Sequence, residues 1–200
     1  MAGWSVHKGQ AVALPLESID TDQLIPARFM STPRAEGYGQ FLLHDMRKGS
    51  DGAPVAEMPL NRHPEASVLV ARRNFGSGSS REAAVYALVD FGIRVVIAPS
   101  FGDIFAGNAV NNGLLPLKLP AGTVEEILGA LGTGTAEATV DLNSGQLRLC
   151  GQEYRFELPE KWQQKLLNGW DDIDLTLNRQ NEISAFRDKR RAEYGWAWPK

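Results

Sequence analysis

The residues of this sequence best suited to chemistry lie within positions 67–81. Ser79-Ser80-Arg81 follows the glycine turn Gly76-Ser77-Gly78, and Glu82 comes three residues after Ser79, which is the spacing of a capping box. A helix that begins here would gather two hydroxyl groups, free backbone N–H groups and a guanidinium at its positive end. The spacing therefore predicts a site that binds an anion.

A predicted strand and a predicted helix must position these groups. Val68-Leu69-Val70-Ala71 is apolar and rich in β-branched residues, which predicts a buried strand. Beyond Glu82, apolar residues recur at helical spacing until Gly92, which predicts a helix closed by that glycine. A purely structural role, in which the glycines relieve backbone strain and the serines cap the helix, explains this pattern equally well.

Three known glycine-rich motifs do not match this stretch. A dinucleotide-binding fingerprint needs Gly or Ala where Arg81 stands and an acidic residue ending the next strand, which instead runs into Pro99. A phosphate-binding P-loop needs Gly-Lys-Ser/Thr, and no lysine lies between Lys48 and Lys118. A nucleophile elbow needs a serine with glycines two residues to either side, and no serine here has them.

Length and composition predict one globular domain. The 200 residues are 43% hydrophobic and 22% charged, and the net charge of −3 argues against a nucleic-acid-binding protein. The lone Cys150 cannot supply the ligands of an iron–sulfur cluster or a structural zinc, so no metal site is expected. Without a signal-like segment or an apolar run near the roughly 20 residues that span a bilayer, a cytoplasmic protein without membrane contact is expected.

Hydrophobic periodicity along the chain predicts an α/β fold. Strands are predicted at 4–16, 68–71, 93–98 and 114–119, with helices at 79–91, 101–112 and 123–131 between or after them. Thr123 and Glu126 fit a capping box for the third helix. This alternation predicts parallel βαβ units with right-handed crossovers. Short strands at 138–142, 146–149 and 154–158 then predict a β meander, followed by helices at 159–168 and 180–194.

Four further segments carry polar or apolar groups with a candidate role. Asp20-Thr21-Asp22 follows the first predicted strand and could orient a guanidinium, although a solvated turn also explains it. Residues 29–64 are too long for a simple connector and too polar for core, which favours a functional loop. The charge run 187–191 predicts a solvated face, with docking against an acidic partner as the lesser alternative. The apolar tail Trp196-Ala197-Trp198 predicts packing against this domain or another chain.

Three motifs together resemble the small subunits of 3-isopropylmalate dehydratase, which correspond to the mobile swivel domain of the aconitase superfamily. They are SIDTDQLIP at 18–26, NFGSGSSRE at 74–82 and APSFGDIF at 98–105. The resemblance spans roughly residues 5–190 and implies a single three-layer β/β/α swivel domain over residues 1–200. It has a mainly parallel βαβ core, a substrate loop near 29–64, a C-terminal β meander and a helical extension at 159–200. Two positions depart from the pattern, since Ser77 replaces a common cysteine and Ala83 a common histidine.

The resemblance implies that 2-isopropylmalate and 3-isopropylmalate are interconverted through 2-isopropylmaleate, a step of leucine biosynthesis. The substrate is a small dicarboxylate hydroxyacid, and a [4Fe–4S] cluster acts as Lewis acid on its hydroxyl group. Because this chain has one cysteine, the cluster would be held by a large partner subunit. The chain alone is therefore expected to be inactive and to complete a composite site.

The resemblance also implies roles for individual residues. Ser79 would be the base, with Arg81 stabilising its anion and Asp22 orienting Arg81. Ser80, Thr21 and Arg34 would bind substrate, Arg34 as a carboxylate clamp with Arg28 as its rival. Gly76 and Gly78 would shape the turn.

Two alternatives remain open from the sequence. A related hydro-lyase acting on a citraconate-, homoaconitate- or dimethylmaleate-like substrate has the same expected residues, and its substrate choice would lie mainly in residues 30–38. The alternative of another class is a non-catalytic anion-binding module. Activity that appears only on mixing with a large subunit distinguishes the enzyme from the module.

Overall fold

The computed structural model describes residues 2–198. In this part of the chain seven strands form one sheet in the order β4-β3-β2-β1-β5-β6-β7. The strands are β1 (Val6–Leu14), β2 (Ala66–Ala71), β3 (Val95–Ala98), β4 (Leu115–Lys118), β5 (Thr135–Asp141), β6 (Gln146–Leu149) and β7 (Gln152–Arg155). Strands β1 to β4 pair in parallel, whereas β5 joins β1 antiparallel and continues into an antiparallel meander.

Helices connect the strands and follow the meander. They are α1 (Thr21–Leu24), α2 (His44–Arg47), α3 (Pro59–Arg62), α4 (Ala83–Phe91), α5 (Asp103–Asn111), α6 (Ala121–Leu131), α7 (Glu160–Asn168), α8 (Asp172–Leu177) and α9 (Gln180–Glu193). Short 3-10 turns lie at Ala27–Phe29, Arg34–Glu36, Gly39–Phe41 and Gly195–Ala197. The charge run of α9 is exposed, as predicted.

Two hydrophobic clusters cover the two faces of the parallel strands. Leu69 and Ala71 of β2 belong to the cluster that includes α4 and α5, whereas Val68 and Val70 belong to the cluster that includes α6 and the meander. This split follows from the alternation of side chains along a strand. The arrangement confirms the predicted α/β class with a parallel βαβ core and a C-terminal meander.

Both predicted capping boxes are wrong. Helix α4 begins at Ala83 with Glu82 at its N-cap and no side-chain cap, because the backbone N–H of Ser79 donates to the Thr21 hydroxyl instead. Helix α6 begins at Ala121, two residues before Thr123, since Pro120 with φ −54° starts it. Only the first of these errors has a distant cause, the contact with Thr21, because Pro120 directly precedes α6.

The last strand of the meander lies earlier than predicted. Strand β7 ends at Arg155 rather than extending over 154–158. Cys150 and Gly151 both have left-handed backbones, with φ +53° and +74°, and form a two-residue turn that pairs Leu149 with Gln152. This turn fixes the register. Sequence analysis also missed α8, whose N-cap is Asp171 in a capping box with Asp174.

Residues 29–64 contribute side chains to the hydrophobic core. The prediction that this segment is too polar for the core is therefore wrong. Its apolar side chains pack into the cluster that contains α4, and the fully buried ones are Leu42, Leu43 and Leu60. The apolar tail was predicted to pack against this domain or another chain. Trp196 is 86% exposed, so the first alternative is wrong for this residue. Packing of the tail against another chain stays a prediction.

Candidate active site

Three loops meet at the carboxyl ends of β1, β2 and β3, which is where parallel α/β sheets bind ligands. Backbone bridges extend the parallel pairing beyond the strands, between Asp20 and Ser77 and between Phe75 and Phe101. The N–H of Gly76 donates to the carbonyl of Ile19 at 2.7 Å. The 18–22, 74–79 and 98–102 segments are therefore joined through their backbones, and each contains the first part of one of the three motifs found in the sequence.

Gly76 permits the close approach of these loops. Its φ is +72°, and a Cβ atom added there would lie 2.2 Å from the Phe105 ring. Gly102 is equally constrained, since its Cβ would lie 2.5 Å from the Gly76 carbonyl oxygen. Gly78, with φ +96°, has ordinary space around it and needs its glycine for the backbone conformation alone. The predicted turn role of Gly76 and Gly78 therefore has a physical basis in the structure.

Thr21 fixes the position of Ser79. The Thr21 side chain is 1% exposed, and its hydroxyl oxygen accepts a hydrogen bond from the backbone N–H of Ser79 at 3.2 Å. The backbone N–H of Thr21 donates to the carbonyl of Ser77 at 2.9 Å. Ser79 and Ser80 are both exposed. Substrate binding by Thr21 and Ser80 stays a prediction.

Arg81 and Asp22 form a hydrogen-bonded ion pair across the first two loops. The Arg81 side chain is 23% exposed and the Asp22 side chain is 56% exposed. A guanidinium has five N–H donors, so one carboxylate leaves donors available to a further anion. Because α4 begins only at Ala83, Arg81 rather than the helix end is the main positive group next to the serines.

Arg34 lies against helix α4. Its guanidinium carbon lies 3.6 Å from the centre of the Tyr86 ring, and its Nη2 lies 3.6 Å from Asp90 Oδ1. Asp90 also accepts a hydrogen bond from the Tyr38 N–H at 3.0 Å. In residues 2–198 no hydrogen bond or ion pair joins Arg34 to Ser79, Arg81 or Asp22. The structure therefore attaches the 30–38 segment to α4 through Arg34.

Arg28, the rival clamp, already has an anionic partner. It forms a two-pronged hydrogen-bonded pair with Asp45, and that hydrogen bond lowers the pKa of Asp45 to about 2. His44 also contacts Asp45, at 3.0 Å from Nδ1 to Oδ1. Arg28 is thus less available for a substrate carboxylate than Arg34.

Several polar contacts around the site were not predicted from the sequence. Glu82 accepts a hydrogen bond from Asn112 at 2.8 Å, and burial together with the charge of Glu82 raises the pKa of the Tyr86 phenol. Asn74 hydrogen-bonds to both neighbouring loops. Local sequence gives no signal for these contacts, because each partner is distant along the chain.

The residues of this chain do not fit an iron–sulfur cluster. Cys150 lies in the β6–β7 turn, and burial raises the pKa of its thiol. Within residues 2–198, no three His, Cys, Asp or Glu side chains are grouped as metal ligands would be. In the same part of the chain, every helix is too short or too polar to cross a membrane.

Known proteins are similar to this chain over most of its length. A family model described as the aconitase C-terminal domain matches residues 1–122. The 3-isopropylmalate dehydratase small subunit of Shouchella clausii is 45% identical over 190 residues, which cover 94% of this chain and 96% of that protein. The one from Rhodospirillum centenum is 42% identical over 201 residues, covering 98% and 99%.

A solved structure has the same overall fold. The crystal structure of 3-isopropylmalate dehydratase from Methanocaldococcus jannaschii superimposes with a TM-score of 0.63 at 25% sequence identity. The match covers 90% of this chain and 98% of the other.

Proposed function

The chain belongs to the family of 3-isopropylmalate dehydratase small subunits, within the aconitase superfamily, and we propose that it completes the active site of a large, cluster-bearing subunit. The family is one of hydro-lyases. The proposed reaction interconverts 2-isopropylmalate and 3-isopropylmalate through 2-isopropylmaleate. Residues 1–200 are proposed to act as one swivel domain in the cytoplasm.

One observation carries this proposal. Ser79 is exposed, held through its backbone by Thr21, and next to an arginine that is paired with Asp22. These residues come from two motifs more than 50 positions apart, and the fold brings them to one edge of the sheet. The edge is open to solvent, so a second surface is needed to exclude water from the reaction.

Ser79 is proposed to remove the proton from the substrate carbon. A serine oxygen is a strong base only if its anion is stabilised, and Arg81 is the nearest fixed positive group in the sequence motif. Asp22 holds the Arg81 guanidinium in place without consuming all its donors. Ser80 is proposed to donate to a substrate carboxylate, and Arg34 to clamp the other after leaving Tyr86 and Asp90.

The [4Fe–4S] cluster is proposed to belong to the large subunit, where it supplies a Lewis acid for the substrate hydroxyl. No residue of this chain is assigned to it, in keeping with the isolated position of Cys150.

Reconstitution tests the proposal directly. The purified chain is expected to show no turnover and no stoichiometric iron, and to give turnover of 3-isopropylmalate when mixed with a cluster-loaded large subunit. Turnover by the chain alone, or four irons per isolated chain, would contradict the composite site. Comparing turnover of citraconate, homoaconitate and dimethylmaleate in the same assay identifies the substrate class. Binding of these diacids by the isolated chain, with no turnover in any mixture, would favour the anion-binding module.

A further inference from the structure

We propose that Asn74 is a positioning residue for this reaction, because it fixes the three site loops relative to one another. The inference rests on the proposed function, since it assigns a role in turnover. The side-chain Nδ2 of Asn74 donates to Ser18 Oγ at 3.2 Å, and its backbone N–H donates to Ser100 Oγ at 2.8 Å. Ser18 follows β1 and Ser100 follows β3, so one residue after β2 contacts both neighbouring loops. We call Asn74, Ser18 and Ser100 the inter-loop brace.

Two residues of this brace have left-handed backbones. Asn74 has φ +63° and Ser18 has φ +54°, a conformation that asparagine adopts more readily than most residues with a side chain and that is unusual for serine. The two left-handed residues are tied together, since the Ser18 N–H donates to the carbonyl of Arg73 at 2.9 Å. Such conformations persist only where the surrounding structure holds them, and they cluster at functional sites.

The distribution of left-handed residues favours a functional role. In the described part of the chain, four non-glycine residues have positive φ, and two of them, Ser18 and Asn74, belong to the brace. The third is Leu43, whose N–H donates to the carbonyl of Leu24 at the end of α1, the helix that carries Asp22. The fourth, Cys150, lies in the β6–β7 turn.

The consequence for chemistry follows from the chain connections. Ser18 is four residues before Asp22, and Asn74 is five residues before Ser79. The brace therefore sets the position of the loop carrying Asp22 against the loop carrying the proposed base. A misplacement of about 1 Å in a reacting group can reduce turnover roughly a hundredfold.

Residue chemistry provides a matched set of variants. Glycine adopts the left-handed backbone of Asn74 but donates no side-chain hydrogen bond. Aspartate tolerates the same backbone and can accept a hydrogen bond from the Ser18 hydroxyl, which restores the contact with donor and acceptor reversed. Ser18→Gly removes the other partner of that contact while keeping its backbone conformation.

The test uses the assembled enzyme with its large subunit and measures kcat, KM, melting temperature and assembled fraction. We expect Asn74→Gly to lower kcat by about tenfold or more, with the other three quantities close to wild type. Asn74→Asp should recover most of that loss. The double variant Asn74→Gly, Ser18→Gly should have a kcat no lower than that of the less active single variant, because each substitution removes the same contact.

Cys150→Gly is the control, since it relaxes a left-handed residue outside the site and should leave kcat unchanged. The proposal for the brace is contradicted if Asn74→Gly keeps the wild-type kcat, or if its loss of kcat is matched by a loss of melting temperature or of assembled enzyme. It is also contradicted if the effects of Asn74→Gly and Ser18→Gly on kcat are additive. Full turnover in Ser79→Ala would instead overturn the base assignment, whereas no turnover in any mixture of the wild-type chain with the large subunit would overturn the proposed function. If Asn74→Gly has wild-type kcat while Ser79→Ala is inactive, only the proposal for the brace is contradicted.

Discussion

Arg81 and Asp22 are hydrogen-bonded although 59 positions separate them along the chain. The pair joins the loop after β1 to the loop after β2, and it places a fixed positive charge two residues from Ser79. Exposed ion pairs contribute at most about 1 kcal/mol to stability. We therefore interpret this pair as an orienting contact for the arginine.

Removing the Thr21 hydroxyl should displace Ser79. Thr21→Val keeps the shape of the side chain but leaves the Ser79 N–H without its acceptor, so we expect about 1 kcal/mol less free energy of unfolding and a larger proportional loss of turnover. Denaturant unfolding of the chain and turnover of the assembled enzyme measure the two effects. Thr21→Ser keeps the acceptor and should be mild. Equal behaviour of the two variants would show that this contact does not position Ser79.

A side chain at Gly76 should disrupt the loop junction. Gly76→Ala would place a methyl group 2.2 Å from the Phe105 ring at a positive φ, and we expect a loss of about 2 kcal/mol or more of stability. Gly107→Ala in α5 is the matched control, because nothing lies within 4 Å of its Cβ position and alanine favours a helix. Melting temperatures should fall for the first variant and stay or rise for the second. A stable Gly76→Ala would contradict the close approach.

The sequence predicted best the elements whose pattern is decided by burial. Strands β2 and β3 are buried on both faces and read as continuous apolar runs, and Gly92 ends α4 with φ +112°, as its position predicted. It predicted the start of α4 wrongly, because the N–H of Ser79 is bound by Thr21, 58 positions earlier. Local spacing cannot reveal such a partner.

The candidate site shows the same limit. The motifs indicated which residue types belong together, and the fold brings Ser79, Arg81 and Asp22 to one edge. The place of Arg34 depends on Tyr86 and Asp90, which lie on a different element and carry no motif of their own.

Substrate affinity should distinguish Arg34 from Arg28. Arg34→Lys keeps the charge but cannot donate two parallel hydrogen bonds to a substrate carboxylate. We therefore expect KM to rise roughly tenfold, equivalent to about 1.4 kcal/mol. Arg28→Lys should have a smaller effect, since Asp45 already occupies the Arg28 guanidinium. Steady-state kinetics of both assembled variants provide the comparison. A larger rise in KM for Arg28→Lys would transfer the clamp to Arg28.

Acid should weaken the attachment of α8. Hydrogen bonds from Lys165 and Asn111 lower the pKa of Asp172 below its ordinary 3.8. The charged form of Asp172 is thus favoured in the folded chain. The resulting stability is fully present at pH values above the ordinary pKa of Asp172 and is lost as the pH falls through the lowered pKa of the folded chain. We expect wild type to be more stable than Asp172→Asn at neutral pH, with the difference disappearing in acid. A difference in unfolding free energy that does not change with pH would contradict this.

Turnover of Ser79→Ala, reconstituted with the cluster-bearing large subunit, tests the central claim most directly. If Ser79 is the base, turnover should fall by a factor on the order of a thousand or more, while substrate affinity and melting temperature stay near wild type. Ser77→Ala is the neighbouring control and should be mild, and a loss confined to Ser80→Ala would move the base by one residue. Wild-type turnover in Ser79→Ala would contradict the assignment of Ser79 as the base.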